Sequence, residues 1–107
     1  MNGWLALAVA IGFEIAGTTA MKLSDGLARP GPTAAMFICY VLAFSALARA
    51  LKSLEVGMAY AIWSAVGTAV IAAIGVAWFG ESWNVFKGLS LGLIVLGVMG
   101  LHLSSGT

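Results

Sequence analysis

From Val56 to Gly80 the chain runs through 25 residues without one charged side chain. At 1.5 Å of rise per residue, about 20 apolar residues in a helix cross the hydrocarbon of a bilayer. Three further apolar stretches flank this one. The first covers residues 3–21 and is interrupted only by Glu14; the others cover residues 33–50 and 85–105. Only 8% of the 107 residues are charged, while 62% are hydrophobic. A soluble domain carries about 25% charged residues, so this chain cannot coat itself against water. It is an integral membrane protein.

The segments show no alternation of period two, and the loops between them are short, so helices are expected rather than a barrel. The reading is all-α: one transmembrane domain over residues 1–107, with four short helices at about 3–21, 33–50, 56–79 and 85–105. Pro30 and Pro32 stand where a helix start tolerates them. Arg49, Lys52 and Lys87 lie at segment ends, from which their charges can reach the headgroups. The first segment has no basic residue before it and carries an acid inside it. It is therefore expected to remain as a helix rather than be cleaved as a signal peptide.

Composition removes other functions. Five Lys/Arg against four Asp/Glu leave no basic surface for a nucleic acid. Cys39 and His102 are single, too few for a zinc site or a disulfide framework. Ser64 and Ser90 have no base to activate them and read first as small packing residues. No cofactor is expected, and an enzyme is the least favoured class.

Glu14 is the residue that needs a reason. A carboxylate in the middle of a spanning helix costs about 3 kcal/mol even on lenient insertion scales. Arg49 and Lys87 lie only at the ends of their stretches, so no Lys or Arg stands mid-span to pair with it. Protonation, a water-filled cavity or a cationic ligand can keep it there. Leu7, Ala10, Gly17, Thr18 and Met21 fall on its helical face, small or polar close to the acid. Tyr40 and Phe44 share a face of the second segment, and Tyr60, Trp63, Ser64 and Gly67 a face of the third. Trp4, Trp78 and Trp83 suit the interfacial belts, whereas Tyr60 and Trp63 lie deeper. A carboxylate among aromatic rings attracts a lipophilic cation through charge and cation–π contact.

Three blocks carry a family resemblance. They are Ala10-Ile11-x-x-Glu14-x-x-Gly17-Thr18-Thr19-x-Met21-Lys22, Ile38-Cys39-Tyr40, and Ala59-Tyr60-Ala61-Ile62-Trp63-Ser64-x-Val66-Gly67. The chain resembles the small multidrug resistance transporters over its whole length, and Gly17-Thr18-Thr19 is similar to the quaternary-ammonium and multidrug branch. The resemblance implies a proton-coupled antiporter that exports lipophilic aromatic or quaternary ammonium cations as an antiparallel dimer in the bacterial plasma membrane. It further implies that Glu14 is the shared proton and substrate site. Ala10, Ile11, Gly17 and Thr18 would shape its wall, and Tyr40, Phe44, Tyr60, Trp63 and Ser64 would line the pocket. Gly67 would allow a bend in the third helix, and Ser90 and Gly97 would meet the partner. Ser45, Ala43 and Ala65 differ from the family pattern at the aromatic wall and at the bend of the third helix, which implies a narrow drug range.

The residues argue for a dimer on their own account. Transporter sites commonly lie between inverted repeats, and a chain this short holds one repeat. Lys22, Arg29 and Lys87 fall on one side of the membrane and Arg49 and Lys52 on the other. That is almost no positive-inside bias, so insertion in both senses is permitted. The partner is a second copy of this chain or a homologous one. The alternative transport reading is export of guanidinium or polyamines. From another class, the alternative is a proteolipid-like structural subunit, which gives the Tyr60/Trp63 face no purpose.

Overall fold

The computed structural model describes residues 2–104, and all its regular elements are helices: α1 Gly3–Leu23, α2 Pro30–Ala50, α3 Val56–Trp78 and α4 Val85–Ser104. All four are long and apolar enough to cross a membrane. The expectation of four helices therefore holds, with shifted ends. Residue 105, the expected last residue of the fourth helix, lies outside the described residues.

Helix α1 begins on Asn2, whose Oδ1 accepts the Leu5 N–H at 2.7 Å. That is the usual repair of an unpaired first-turn donor. It runs past Met21 to Leu23, because Lys22 sits in the last turn, where a cation suits the carbonyl end. Ser24 then stops it. This side chain is fully buried; its hydroxyl donates to the Met21 carbonyl at 2.6 Å and accepts the Leu27 N–H at 3.0 Å. Gly26 at φ +67° turns the chain, and its neighbours Asp25 and Leu27 adopt the same left-handed region.

Helix α2 starts three residues earlier than the sequence reading placed it. Pro30 is its first residue and Arg29 its extended N-cap. A proline there gives up an N–H that no helical carbonyl needs, and its fixed φ suits the first turn. The sequence reading set the boundary at residue 33 while noting that both prolines suit a helix start; they stand in its first turn.

The chain divides into two compact units, the first running to Ala59 and the second starting at Tyr60. In the first, α1 and α2 pack along each other. Leu7, Ala10 and Ile11 of α1 and Met36, Ala43 and Ala46 of α2 are buried. Gly3 has the Ser53 hydroxyl and Leu54 where a Cβ would stand, so the outer end of α1 lies directly on the turn after α2.

In the second unit, α3 ends in a return. Gly80, at φ +66°, brings the Glu81 N–H back to the Gly75 carbonyl at 3.0 Å, a left-handed glycine closing a helix end. The Glu81 carboxyl then covers Gly75, where a Cβ would collide with it. Helix α4 starts on Asn84, whose Oδ1 accepts the Lys87 N–H at 2.8 Å. Trp83 folds onto Gly88, with ring atoms 2.8 Å from where a Cβ would sit. No residue of α4 is buried, and Phe86, Leu89, Leu93, Leu96 and Leu103 are all exposed. Ile62 with Val98, Met99, His102 and Leu103 lines an open apolar cleft of about 330 Å³.

The caps give a direct check. Asn84→Ala should lower stability in detergent by about 1 kcal/mol, the usual loss for an N-cap. Asn84→Ser, which keeps an acceptor, should recover most of it. Equal thermal unfolding of Asn84→Ala and the parent protein would mean that the cap contributes nothing.

Candidate functional site

Glu14 lies near the middle of α1 and is half-buried. One turn further on, Thr18 donates its hydroxyl to Glu14 Oε1 at 3.1 Å. The same hydroxyl lies 2.7 Å from the Tyr40 hydroxyl of α2. The other carboxyl oxygen, Oε2, is buried and has no hydrogen-bond partner among the described residues. The two oxygens of one carboxyl are thus unlike: one is held, the other is uncommitted.

Tyr40 reaches Thr18 because Gly17 makes room. A Cβ on Gly17 would lie 2.6 Å from Tyr40 Cε1, 2.7 Å from Cδ1 and 3.2 Å from the Cys39 Cβ. The Cδ1–Cε1 side of the ring takes the space a side chain on Gly17 would fill, and its hydroxyl meets the next residue, Thr18. Phe44, one turn on from Tyr40, meets that ring edge-on at 6.5 Å between centroids, with the planes at 62°. Such pairs contribute about 0.5–1.5 kcal/mol beyond area burial. Thr19 takes no part; its hydroxyl bonds back to the Ile15 carbonyl at 2.8 Å, an ordinary arrangement inside a helix.

The structure therefore brings Glu14, Gly17, Thr18, Tyr40 and Phe44 together in the first unit. Ala10 and Ile11 are buried on α1 within the same unit. In the second unit Tyr60 and Trp63 form an edge-to-face pair, 5.8 Å apart with planes at 82°. Tyr60 is largely exposed and Ser64 is exposed on the same helix, whereas Gly67 is buried. Ser90 and Gly97 are exposed on α4, and Gly97 has open space where a Cβ would be.

Sequence reasoning placed Gly17 and Thr18 on the wall of the site but did not find what they do. Gly17 is the notch for the Tyr40 ring, and Thr18 links that ring to the acid. Cys39, noted in the sequence as the single cysteine and as part of a block, is the second wall of the notch. Spacing within one helix put Gly17 and Thr18 beside Glu14. The register of α2 that brings Tyr40 opposite them is not legible along one helix.

Comparison with known proteins decides the family. The sequence model described as Small Multidrug Resistance protein matches residues 2–94. The chain belongs to the small multidrug resistance family. It is 42% identical over 105 residues to the quaternary ammonium compound-resistance protein QacE of Escherichia coli, covering 98% of this chain and 96% of that one. The multidrug resistance protein EbrB of Bacillus subtilis is 39% identical, with 97% of this chain and 89% of that one covered. The nicotine metabolites export pump subunit NepA of Paenarthrobacter nicotinovorans is 38% identical over 96% of this chain and 89% of its own length. As a member of this family the chain is a multi-pass protein of the cell membrane and a transporter rather than an enzyme.

The Gly17 notch predicts its own test. Gly17→Ala should displace Tyr40 and destabilise the α1–α2 pair by about 1–3 kcal/mol, as overpacking does. Gly12→Ala on the same helix, where the space is open, should be neutral or gain up to about 1 kcal/mol from helix propensity. Thermal unfolding of both in one detergent compares them. Equal effects would mean that Tyr40 does not rest on Gly17.

Proposed function

We propose that this chain exports lipophilic aromatic or quaternary ammonium cations in exchange for protons, with Glu14 as the site that both occupy. The observation that carries this reading is the uncommitted Oε2 of a carboxyl placed midway along a spanning helix. An anionic oxygen with no donor in a place that water reaches poorly is costly. A proton removes that cost, and so does an organic cation. One carboxyl taking either, but not both, is the minimum device for antiport.

The relatives support the substrate class. QacE is named for resistance to quaternary ammonium compounds, and EbrB for multidrug resistance. In the proposed mechanism Tyr60 and Trp63 supply ring faces to the cation, each worth about 0.5–2 kcal/mol as a cation–π contact. Ala10, Ile11, Gly17, Thr18, Tyr40, Phe44 and Ser64 shape the rest of the pocket. Gly67 serves the bend of α3 between the two access states.

The proposed working unit is an antiparallel homodimer. A helix with no buried residue, as α4 is, leaves small groups such as Ser90 and Gly97 available for close backbone approach to a partner. Two chains inserted in opposite senses would supply the inverted repeats that one chain lacks. A second reading pairs this chain with a homologous one, and the relative named as a pump subunit favours it. Transport by proteoliposomes that contain this chain alone separates the two.

Proton and cation competition predicts a pH profile. Cation affinity should rise with pH while Glu14 loses its proton and level off once the carboxylate is fully formed, and binding should release protons. Glu14→Gln keeps the shape without the charge and should abolish cation binding and coupled transport together. The check is cation binding to detergent-solubilised protein over a wide pH range. A flat profile, or a Gln variant that still transports against a gradient, would place the proton elsewhere.

The near-balance of Lys and Arg across the membrane predicts dual insertion. Tags should report both orientations. Adding Lys to the loops on one side should fix one orientation and silence that variant, and co-expression with its oppositely fixed counterpart should restore transport. A parent chain found in one orientation only, yet active by itself, would sink the antiparallel arrangement.

A further inference from the structure

We infer that Thr18 is the positioning residue of Glu14, and that a hydrogen-bond relay from Tyr40 through Thr18 holds Oε1 so that Oε2 is the oxygen that takes the cation. This rests on the reading of Glu14 as the shared site. A threonine hydroxyl has one proton to give. In this structure it is given to Glu14 Oε1, so the 2.7 Å contact with Tyr40 runs the other way: Tyr40 donates and Thr18 accepts. The relay has a direction, with both O–H groups pointing towards the carboxyl.

That direction suits a carboxyl oxygen that accepts. A hydrogen bond to an anion is shorter and stronger than one to a neutral acceptor, and a second donor behind the first polarises it further. The relay also divides the carboxyl. Oε1 is tied to α1 and, through Tyr40, to α2, whereas Oε2 is left for the proton or the cation. Thr18 thus fixes which oxygen does the chemistry, and Tyr40 transmits the position of α2 to that oxygen.

Few other groups compete for this control. Helix α2, packed against α1, brings Tyr40 and Cys39 to this face. Lys22 lies about 12 Å from Glu14 along α1, at 1.5 Å of rise per residue. Arg49 lies about 14 Å from Tyr40 along α2 by the same rise. Neither is near enough to replace a hydrogen bond.

The test uses three variants of the full chain in detergent. Thr18→Val keeps the shape and removes the hydroxyl, Thr18→Ser keeps the hydroxyl, and Tyr40→Phe removes only the far end of the relay. Two readouts are taken at one pH: binding of tetraphenylphosphonium, and the frequency of the infrared carboxyl band of Glu14 with no cation present, assigned by its loss in Glu14→Gln. Thr18→Val should weaken binding about tenfold, the size of one lost hydrogen bond to a charged group, and move the band to the frequency of a carboxyl without that donor. Thr18→Ser should restore both. Tyr40→Phe should move both by less, and should add nothing in the Thr18→Val background, because the two residues act in series. A band and an affinity that Thr18→Val and Tyr40→Phe both leave in place, or effects that add in the double variant, would overturn the relay. If Thr18→Val fails to fold, Tyr40→Phe and Thr18→Ser still decide it. If the parent chain binds no cation at all, the transport reading fails while the infrared band still judges the relay.

Discussion

The arrangement of the first helical pair follows from the cost of carrying a carboxyl into an apolar span. An anion there requires donors, and α1 can offer only side chains on its own face. Thr18, one turn from Glu14, is such a donor, but a single hydroxyl holds a single oxygen. The second helix extends the support by bringing Tyr40 behind Thr18. For that the two helices must approach closely, which Gly17 permits by lacking a Cβ where the ring lies. The glycine, the threonine and the tyrosine form one device, and each explains the identity of the next.

What the device leaves undone is as informative as what it does. A protein that wanted only to bury an acid would satisfy both oxygens, because an unpaired buried polar atom is expensive. Here Oε2 has no partner among the described residues. In the proposed function that oxygen takes a proton or an organic cation in turn. Membership in the small multidrug resistance family makes the chain a transporter, and the proposed function joins that to this carboxyl.

The second unit poses a different problem. Helix α4 buries nothing, and its apolar side chains stand exposed along its length. Lipid can cover leucine and phenylalanine. It gains little from a small-residue face, because van der Waals packing between helices depends on close backbone approach. Small and bulky residues on one helix therefore have different natural neighbours: Ser90 and Gly97 suit another helix, and Phe86 and Leu103 suit acyl chains. That contrast is what the proposed antiparallel dimer would use.

The sequence alone determined the class of the protein. Charge-free stretches long enough to cross a bilayer leave a chain of this composition no soluble alternative, and the four helices were legible for that reason. Glu14 was legible as the exceptional residue because the cost of a mid-span acid depends on residue type and position alone. Helix ends were less so: Pro30 looks like a break in one dimension and is the first residue of α2 in three. Only the tertiary structure decided how the acid is held. The pairing of Gly17 with Tyr40 depends on the register between α1 and α2, which a turn through Asp25, Gly26 and Leu27 sets. Periodicity along one helix carries no information about the rotation or sliding of its neighbour. A hydrogen bond between residues 22 positions apart in sequence is therefore a property of the packed pair.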